Sequence, residues 1–163
     1  MAERTTRPRL ALYQPDIPQN AGAVLRLGAC LDFAVDVIEP CGFLWDEKRM
    51  RRAGMDYIDQ VTVTRHTSWS AFRQWSHGQG RRVVLLSTKA SERLDRFTFR
   101  PDDIIMVGRE SAGVPDAVAE AADARVRIPL NPAARSLNVA MAAAIAMAEA
   151  LRQLQAFPAE ETA

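Results

Sequence analysis

Short runs dense in Val, Ile and Leu alternate along the chain with stretches of helical spacing, and this alternation limits the fold more than any other feature. The runs fall at residues 10–14, 34–39, 61–65, 82–87, 104–107 and 125–128. Most are continuously apolar rather than alternating, as expected of strands covered by helices on both faces. Parallel neighbours require crossover connections, and helical stretches stand where those crossovers belong. The expected architecture is α/β with a largely parallel sheet. At 163 residues the chain suits one domain with its core at about residues 10–155.

Helix boundaries follow from capping chemistry. Asn20 is expected to cap a helix running to about Leu31, Asp46 to cap a second, and Ser68 to open a third carrying Trp69, Phe72 and Trp75 into the core. Pro115 suits the first turn of a short helix through Ala122. A long helix is expected from Ser136 to about Gln155, with Leu137, Met141, Ala144, Ile145, Ala148, Leu151 and Leu154 forming its apolar face. Its alanines permit close approach of another helix, from this chain or from a second subunit.

Several classes are excluded. The longest apolar run, residues 139–148, is too short to span a bilayer, and the first residues lack the apolar core of a secretory signal, so a cytoplasmic address is expected. Cys30 and Cys41 make no disulfide framework and have no metal-ligand spacing with His66 or His77. The Walker loop, the G-x-G-x-x-G turn, the H-E-x-x-H helix, the G-x-S-x-G elbow and paired CxxC motifs are all missing.

Net charge is only +1, but residues 47–100 carry twelve Arg/Lys against five Asp/Glu. Arg outnumbers Lys nineteen to two, which suits phosphate recognition and is equally what a GC-rich genome would encode. Lys48, Arg49, Arg51 and Arg52 crowd beside Trp45 and Tyr57, pairing phosphate donors with stacking surfaces in a way that suits single-stranded RNA.

Ligands of open α/β sheets collect beyond the carboxyl ends of strands. Four loops there are chemically distinctive: residues 14–22, 86–89, 108–115 and 129–136. Gly108 and Gly113 permit close backbone approach or positive φ, while Pro129 and Pro132 stiffen the last loop.

Three segments in these loops, Asn20-Ala21-Gly22-Ala23-Val24-Leu25-Arg26, Gly108-x-Glu110-x-x-Gly113, and Arg127-Ile128-Pro129-Leu130 through Ser136-Leu137-Asn138, resemble in order and spacing the motifs of the SPOUT (SpoU-type) RNA methyltransferases. Ile38 to Phe43, Asp46 to Tyr57 and Thr64-Arg65-His66 are similar to the small tRNA wobble-nucleotide 2'-O-methyltransferases within that superfamily. The resemblance implies a Rossmann-like parallel sheet with a C-terminal trefoil knot, a homodimer, and S-adenosylmethionine as methyl donor without a metal. A knot is something general topology rules would not anticipate.

Carried over by position, the resemblance implies cofactor contacts from Leu86, Thr88, Gly108, Ile128, Pro129, Ser136 and Leu137. It places Arg26, Asn20, Glu110 and Asn138 at the reaction, and Lys48, Arg49, Arg51, Arg52, Arg65 and His66 against the tRNA anticodon arm. A guanidinium is a poor proton acceptor, so Arg26 is better suited to holding a phosphate and stabilising oxyanion charge; an ion pair with Glu110 is its plain structural alternative. The chain departs from the family pattern at Arg109 in place of Pro, at Ala140-Met141 in place of Ser-Asn, and at Ala148 in place of Tyr. The implied substrate is the wobble cytidine or uridine of leucine tRNAs. A ribosomal RNA target or another tRNA position, or a noncatalytic RNA-binding module of the same fold, is the alternative.

Overall fold

A computed structural model describes residues 6–52, 56–134 and 137–161; the side chains of Arg49, Arg52 and Asp56 lie outside that description. Seven strands form one sheet: β1 (Arg9–Tyr13), β2 (Val35–Ile38), β3 (Val63–His66), β4 (Arg82–Leu86), β5 (Glu92–Arg93), β6 (Asp103–Val107) and β7 (Ala124–Arg127). Their spatial order is β3-β2-β1-β6-β4-β7-β5, and every named pairing is parallel. Six strands coincide with the expected runs to within two residues at either end. The two-residue β5 is too short to leave a periodic signal.

Among the described residues four α-helices lie between strands, α1 (Pro18–Leu31), α2 (Glu47–Arg52), α3 (Trp69–Gly78) and α4 (Asp116–Ala121), and a fifth, α5 (Val139–Gln153), follows β7. The sheet is packed on both faces, which explains why its strands are so continuously apolar. Leu10 and Leu12 of β1 face α1 and α5, joined by Val24, Leu25, Ala143, Ala146, Met147 and Ala150. Ala11 and Tyr13 face the opposite way, toward Phe72 of α3 and Val118 of α4. Phe72 is fully buried, with Trp69 and Trp75 packed against the same cluster, so the aromatic spacing of α3 marks core.

Capping holds at two positions and shifts at two. Ser68 accepts from the Ala71 amide at 3.0 Å, and Asp46 accepts from the Lys48 amide at 2.9 Å. Asn20 does not cap α1: the helix begins at Pro18 with Ile17 as its cap, because proline already has the φ of a first turn and lacks the N–H that would need a partner. Ser136 lies outside the described residues, and Asn138 caps α5 instead, accepting from the Ala140 and Met141 amides at 2.8 and 3.3 Å.

The expected apolar face of α5 is also corrected. Met141 and Ile145 are 63% and 43% exposed, whereas Ala143, Ala146, Met147, Ala150 and Leu151 are buried. The smallest side chains face inward because α5 packs closely on both α1 and β6, and alanine in a sequence does not announce which way it points.

Candidate active site

Beyond the carboxyl ends of β4, β6 and β7 lies a cleft of about 840 Å3, within the range that holds drug-sized ligands. The end of β4 and the loop after it supply Leu86, Ser87, Thr88 and Lys89; the loop after β6 supplies Gly108, Arg109 and Glu110; Ile128, Leu130, Leu137 and Val139 close the apolar wall. Five of the expected cofactor positions therefore meet in one cavity: Leu86, Thr88, Gly108, Ile128 and Leu137. Pro129 does not line it. It turns to a neighbouring groove shared with Ile145, Ala148 and Arg93, since adjacent residues of an extended segment point to opposite sides. Ser136 lies outside the described residues.

The floor of the cleft is set by Gly108. A Cβ there would sit 2.8 Å from the Gly113 carbonyl carbon and 2.9 Å from its Cα, so the 108–113 turn closes only over a bare α-carbon. Gly113 itself has φ +60°. Arg109, which departs from the family's proline, fastens this turn: its backbone exchanges hydrogen bonds with Gly113 at 3.0 and 2.9 Å, and its Nε donates to the Gly113 carbonyl at 3.1 Å.

Asn20, Glu110 and Asn138 converge at the rim as one relay. Asn138 Nδ2 donates to Asn20 Oδ1 at 3.1 Å, and Asn20 Nδ2 donates to Glu110 Oε1 at 3.3 Å. Glu110 Oε2 accepts from the Asp16 amide, and Asp16 Oδ1 accepts from the Glu110 amide, both at 3.2 Å. The Ser111 hydroxyl donates to the other Asp16 oxygen. This lacing ties together the loops after β1, β6 and β7, which are distant in sequence. It also explains why Asn20 is not a helix cap: its side chain is engaged across the loops.

The two carboxyls of this clasp are held apart in acidity. Burial, reinforced by the adjacent Asp16 carboxyl, raises the pKa of Glu110. Hydrogen bonding with Glu110 and then with Ser111 lowers Asp16 from 3.8 to about 2. A depressed carboxylate pKa stabilises the folded state above the unfolded value and loses that effect as the pH falls through the folded one. Asp16→Asn is therefore expected to cost stability near neutrality, with the deficit against the native sequence shrinking as the pH falls from about 4 toward 2; denaturant unfolding across that range checks it. Glu110 acts in the opposite sense, losing its contribution as the pH rises through its raised value, so Glu110→Gln is measured separately.

Arg26 stands apart from the cleft lining. It is exposed on α1, with its guanidinium carbon 4.9 Å above the Tyr57 ring. The alternative ion pair with Glu110 is not formed; the Glu110 oxygens accept from Asn20 and the Asp16 amide, and Arg26 lies over Tyr57.

The basic surface is only partly as expected. Lys48 and Arg51 are exposed, with Arg51 paired to Asp59 at 2.5 Å. Arg65 is exposed, paired with Glu39 and lying over Trp45. His66 is corrected: it is 7% exposed, its Nε2 lies 2.9 Å from the fully buried Asp36, and its ring packs on Phe72 and Trp75, so it faces the core. Asp36 also accepts two hydrogen bonds from Arg9, and a buried carboxylate so partnered draws the histidine inward. Trp45 is likewise mostly buried, stacked on Phe43, and offers no free stacking face. The side chains of Arg49 and Arg52 lie outside the described residues.

Asp16, Ser111 and Lys89 lie in loops the sequence marks as distinctive, but none is singled out there; the contacts of Asp16 and Ser111 arise from the meeting of separate loops, and Lys89 lines the cleft. Among the described residues no group of three or more His, Cys, Asp or Glu is arranged to hold a metal ion, and no helix is long and apolar enough to cross a membrane.

A parallel sheet with a mixed polar and apolar cleft beyond the carboxyl ends of its strands defines an α/β domain of the open-sheet class, whose ligands collect at that end. Within that class the chain belongs to the SpoU rRNA Methylase family, whose model matches residues 7–148. A tRNA (cytidine(34)-2'-O)-methyltransferase of Beijerinckia indica is 63% identical over 147 residues, covering 90% of this chain and 92% of that protein. A solved structure concerned with 2-OH methylation of C/U34 on tRNA superposes with a TM-score of 0.86 at 38% identity, covering 93% of this chain and 98% of the other. An AdoMet-bound rRNA methyltransferase from Sinorhizobium meliloti superposes with a TM-score of 0.82 at 25% identity over 94% of this chain and 59% of the other.

Proposed function

We propose that this chain transfers the methyl group of S-adenosylmethionine to the ribose 2'-hydroxyl of the wobble cytidine or uridine of tRNA, with leucine tRNAs as substrates. The observation that carries this reading is the relay of Asn138, Asn20 and Glu110 at the rim of the Gly108 cleft, three motif residues joined by hydrogen bonds. The 63% identical relative bears the name of that activity.

The residues present fit the donor. Leu86, Ile128, Leu130 and Leu137 offer apolar walls to an adenine, and the bare backbone at Gly108 allows close approach. S-adenosylmethionine supplies an activated methyl group, so the protein's task is alignment and charge stabilisation. Asn20 and Asn138 hold the rim in register, Glu110 anchors Asn20, and Arg26 holds the phosphate beside the reacting ribose while stabilising charge that develops on its oxygen. Proton removal falls to water or to that phosphate, because a guanidinium is a poor proton acceptor.

The same reading includes one cytoplasmic domain, a homodimer and a C-terminal trefoil knot. In support of the knot, β6 enters between β1 and β4 after β5 has been laid at the sheet edge, and β7 then enters between β4 and β5. In support of the dimer, Met141 and Ile145 leave an apolar outer face on α5. Lys48, Arg49, Arg51, Arg52 and Arg65 are assigned to the anticodon arm. His66 is not.

Incubation with labelled S-adenosylmethionine and separated RNA pools tests the activity. Label entering tRNA supports it, label entering only rRNA supports the ribosomal alternative, and RNA binding without label supports a noncatalytic module. Reversing Lys48 and Arg51 to Glu is expected to weaken tRNA binding and to flatten its salt dependence by about one unit of slope for each phosphate no longer neutralised. Unchanged affinity and slope would place the RNA elsewhere.

A further inference from the structure

The Arg26 side chain is exposed on α1, and its guanidinium carbon lies over the face of Tyr57, 4.9 Å from the ring centroid. Tyr57 belongs to the 3-10 turn Asp56–Gln60, which follows α2. That turn is anchored in the interior: Ile58 is 9% exposed and belongs to the same core cluster as Val24 and Leu25 of α1 and Met50 of α2. The ring is thus mounted on a buried support, while the guanidinium is carried by a long exposed side chain. An exposed arginine samples many rotamers, and losing that freedom costs free energy each time a phosphate must be met. A cation over an aromatic face is held by the ring's quadrupole while its edge N–H groups stay free to donate.

We infer that Tyr57 is a positioning residue for methyl transfer: its ring holds the Arg26 guanidinium in the orientation that meets the substrate phosphate. This rests on the methyltransferase reading. It also gives the basic segment a second role. Besides presenting Lys48 and Arg51 on its surface, it carries the platform for a residue on a different helix. The phenol hydroxyl has no part in this, so the ring alone should suffice.

The experiment combines a resonance with a cycle of variants. In the free native protein, the Nε–H proton of Arg26 is expected upfield, shifted by the ring current of Tyr57; Tyr57→Phe keeps the shift and Tyr57→Leu removes it. An unshifted proton in the native protein overturns the proposal without recourse to any variant. In single-turnover assays with saturating S-adenosylmethionine and tRNA, Tyr57→Leu is expected to slow methyl transfer roughly tenfold, and Tyr57→Phe to stay within about threefold of the native rate. Cofactor affinity should be unaffected by either change. In an Arg26→Ala background, Tyr57→Leu should slow the reaction no further, because a residue acting through Arg26 has nothing left to orient. An equal slowing in both backgrounds, or a Tyr57→Phe protein as slow as Tyr57→Leu, overturns the positioning role while leaving the methyltransferase reading intact. A native protein that binds S-adenosylmethionine but methylates no tRNA overturns that reading, and the proposal with it.

Discussion

Replacing Arg26 with Ala is expected to slow methyl transfer to tRNA by at least about a hundredfold, equivalent to about 2.7 kcal/mol of transition-state stabilisation, while S-adenosylmethionine binds within severalfold of its native affinity. The asymmetry follows from position. Arg26 does not line the cleft formed by the loops after β4, β6 and β7, so its replacement removes nothing from the donor's pocket. Nor does it break an ion pair with Glu110, whose oxygens are engaged by Asn20 and the Asp16 amide. On the proposed mechanism, what the substitution removes is a cationic donor to the charge that develops on the reacting oxygen, and such donors act on the rate rather than on binding. Arg26→Lys is expected to recover only part of the rate, because an ammonium keeps the charge but lacks the planar fork that grips a phosphate. Equilibrium dialysis with the cofactor and single-turnover methylation separate the two quantities. Undiminished turnover in Arg26→Ala would remove this residue from the mechanism.

Gly108→Ala is expected to have the opposite signature, with S-adenosylmethionine affinity falling by about tenfold or more and stability by about 1–3 kcal/mol. The added methyl would meet backbone rather than a flexible side chain: the Gly113 carbonyl carbon at 2.8 Å, its Cα at 2.9 Å and its oxygen at 3.2 Å. Backbone held by reciprocal Arg109–Gly113 hydrogen bonds cannot swing aside, so the whole turn must shift, carrying Glu110 and the cleft floor with it. Gly78→Ala provides the control, since a Cβ at Gly78 meets nothing within 4 Å. Calorimetric titration with the cofactor and denaturant unfolding of both variants check the contrast. Native cofactor affinity in Gly108→Ala would mean that the donor is bound away from the 108–113 turn.

The sheet was legible because its residues obey a local rule. A strand covered on both faces is apolar at every position, and the segments that form β1, β2, β4 and β6 are apolar almost throughout. Capping was legible where one side chain and one nearby amide decide the matter, as at Ser68. It misled at Asn20, whose side chain has a competing use and reaches across to Glu110, and it placed the start of α5 too early, since the cap is Asn138. The inward face of α5 was hidden because its residues are mostly alanine, whose orientation is fixed by the closeness of α1 and not by its own hydrophobicity. His66 sits in a basic stretch and so resembles an RNA contact, yet it points into the core because its partner Asp36, on the neighbouring strand β2, is buried beside it. The Asp16–Ser111–Glu110 clasp joins residues more than ninety positions apart and follows from no local pattern.

The central claim is that loops distant in sequence form one cleft that presents a methyl group to a ribose oxygen. Its most direct test is to map the labelled methyl group at nucleotide resolution after reaction with tRNA, by nuclease digestion and mass spectrometry. A single 2'-O-methylated ribose, at the wobble nucleotide, is the predicted result. A methyl group on a base, or on a ribose elsewhere in the tRNA, would contradict it.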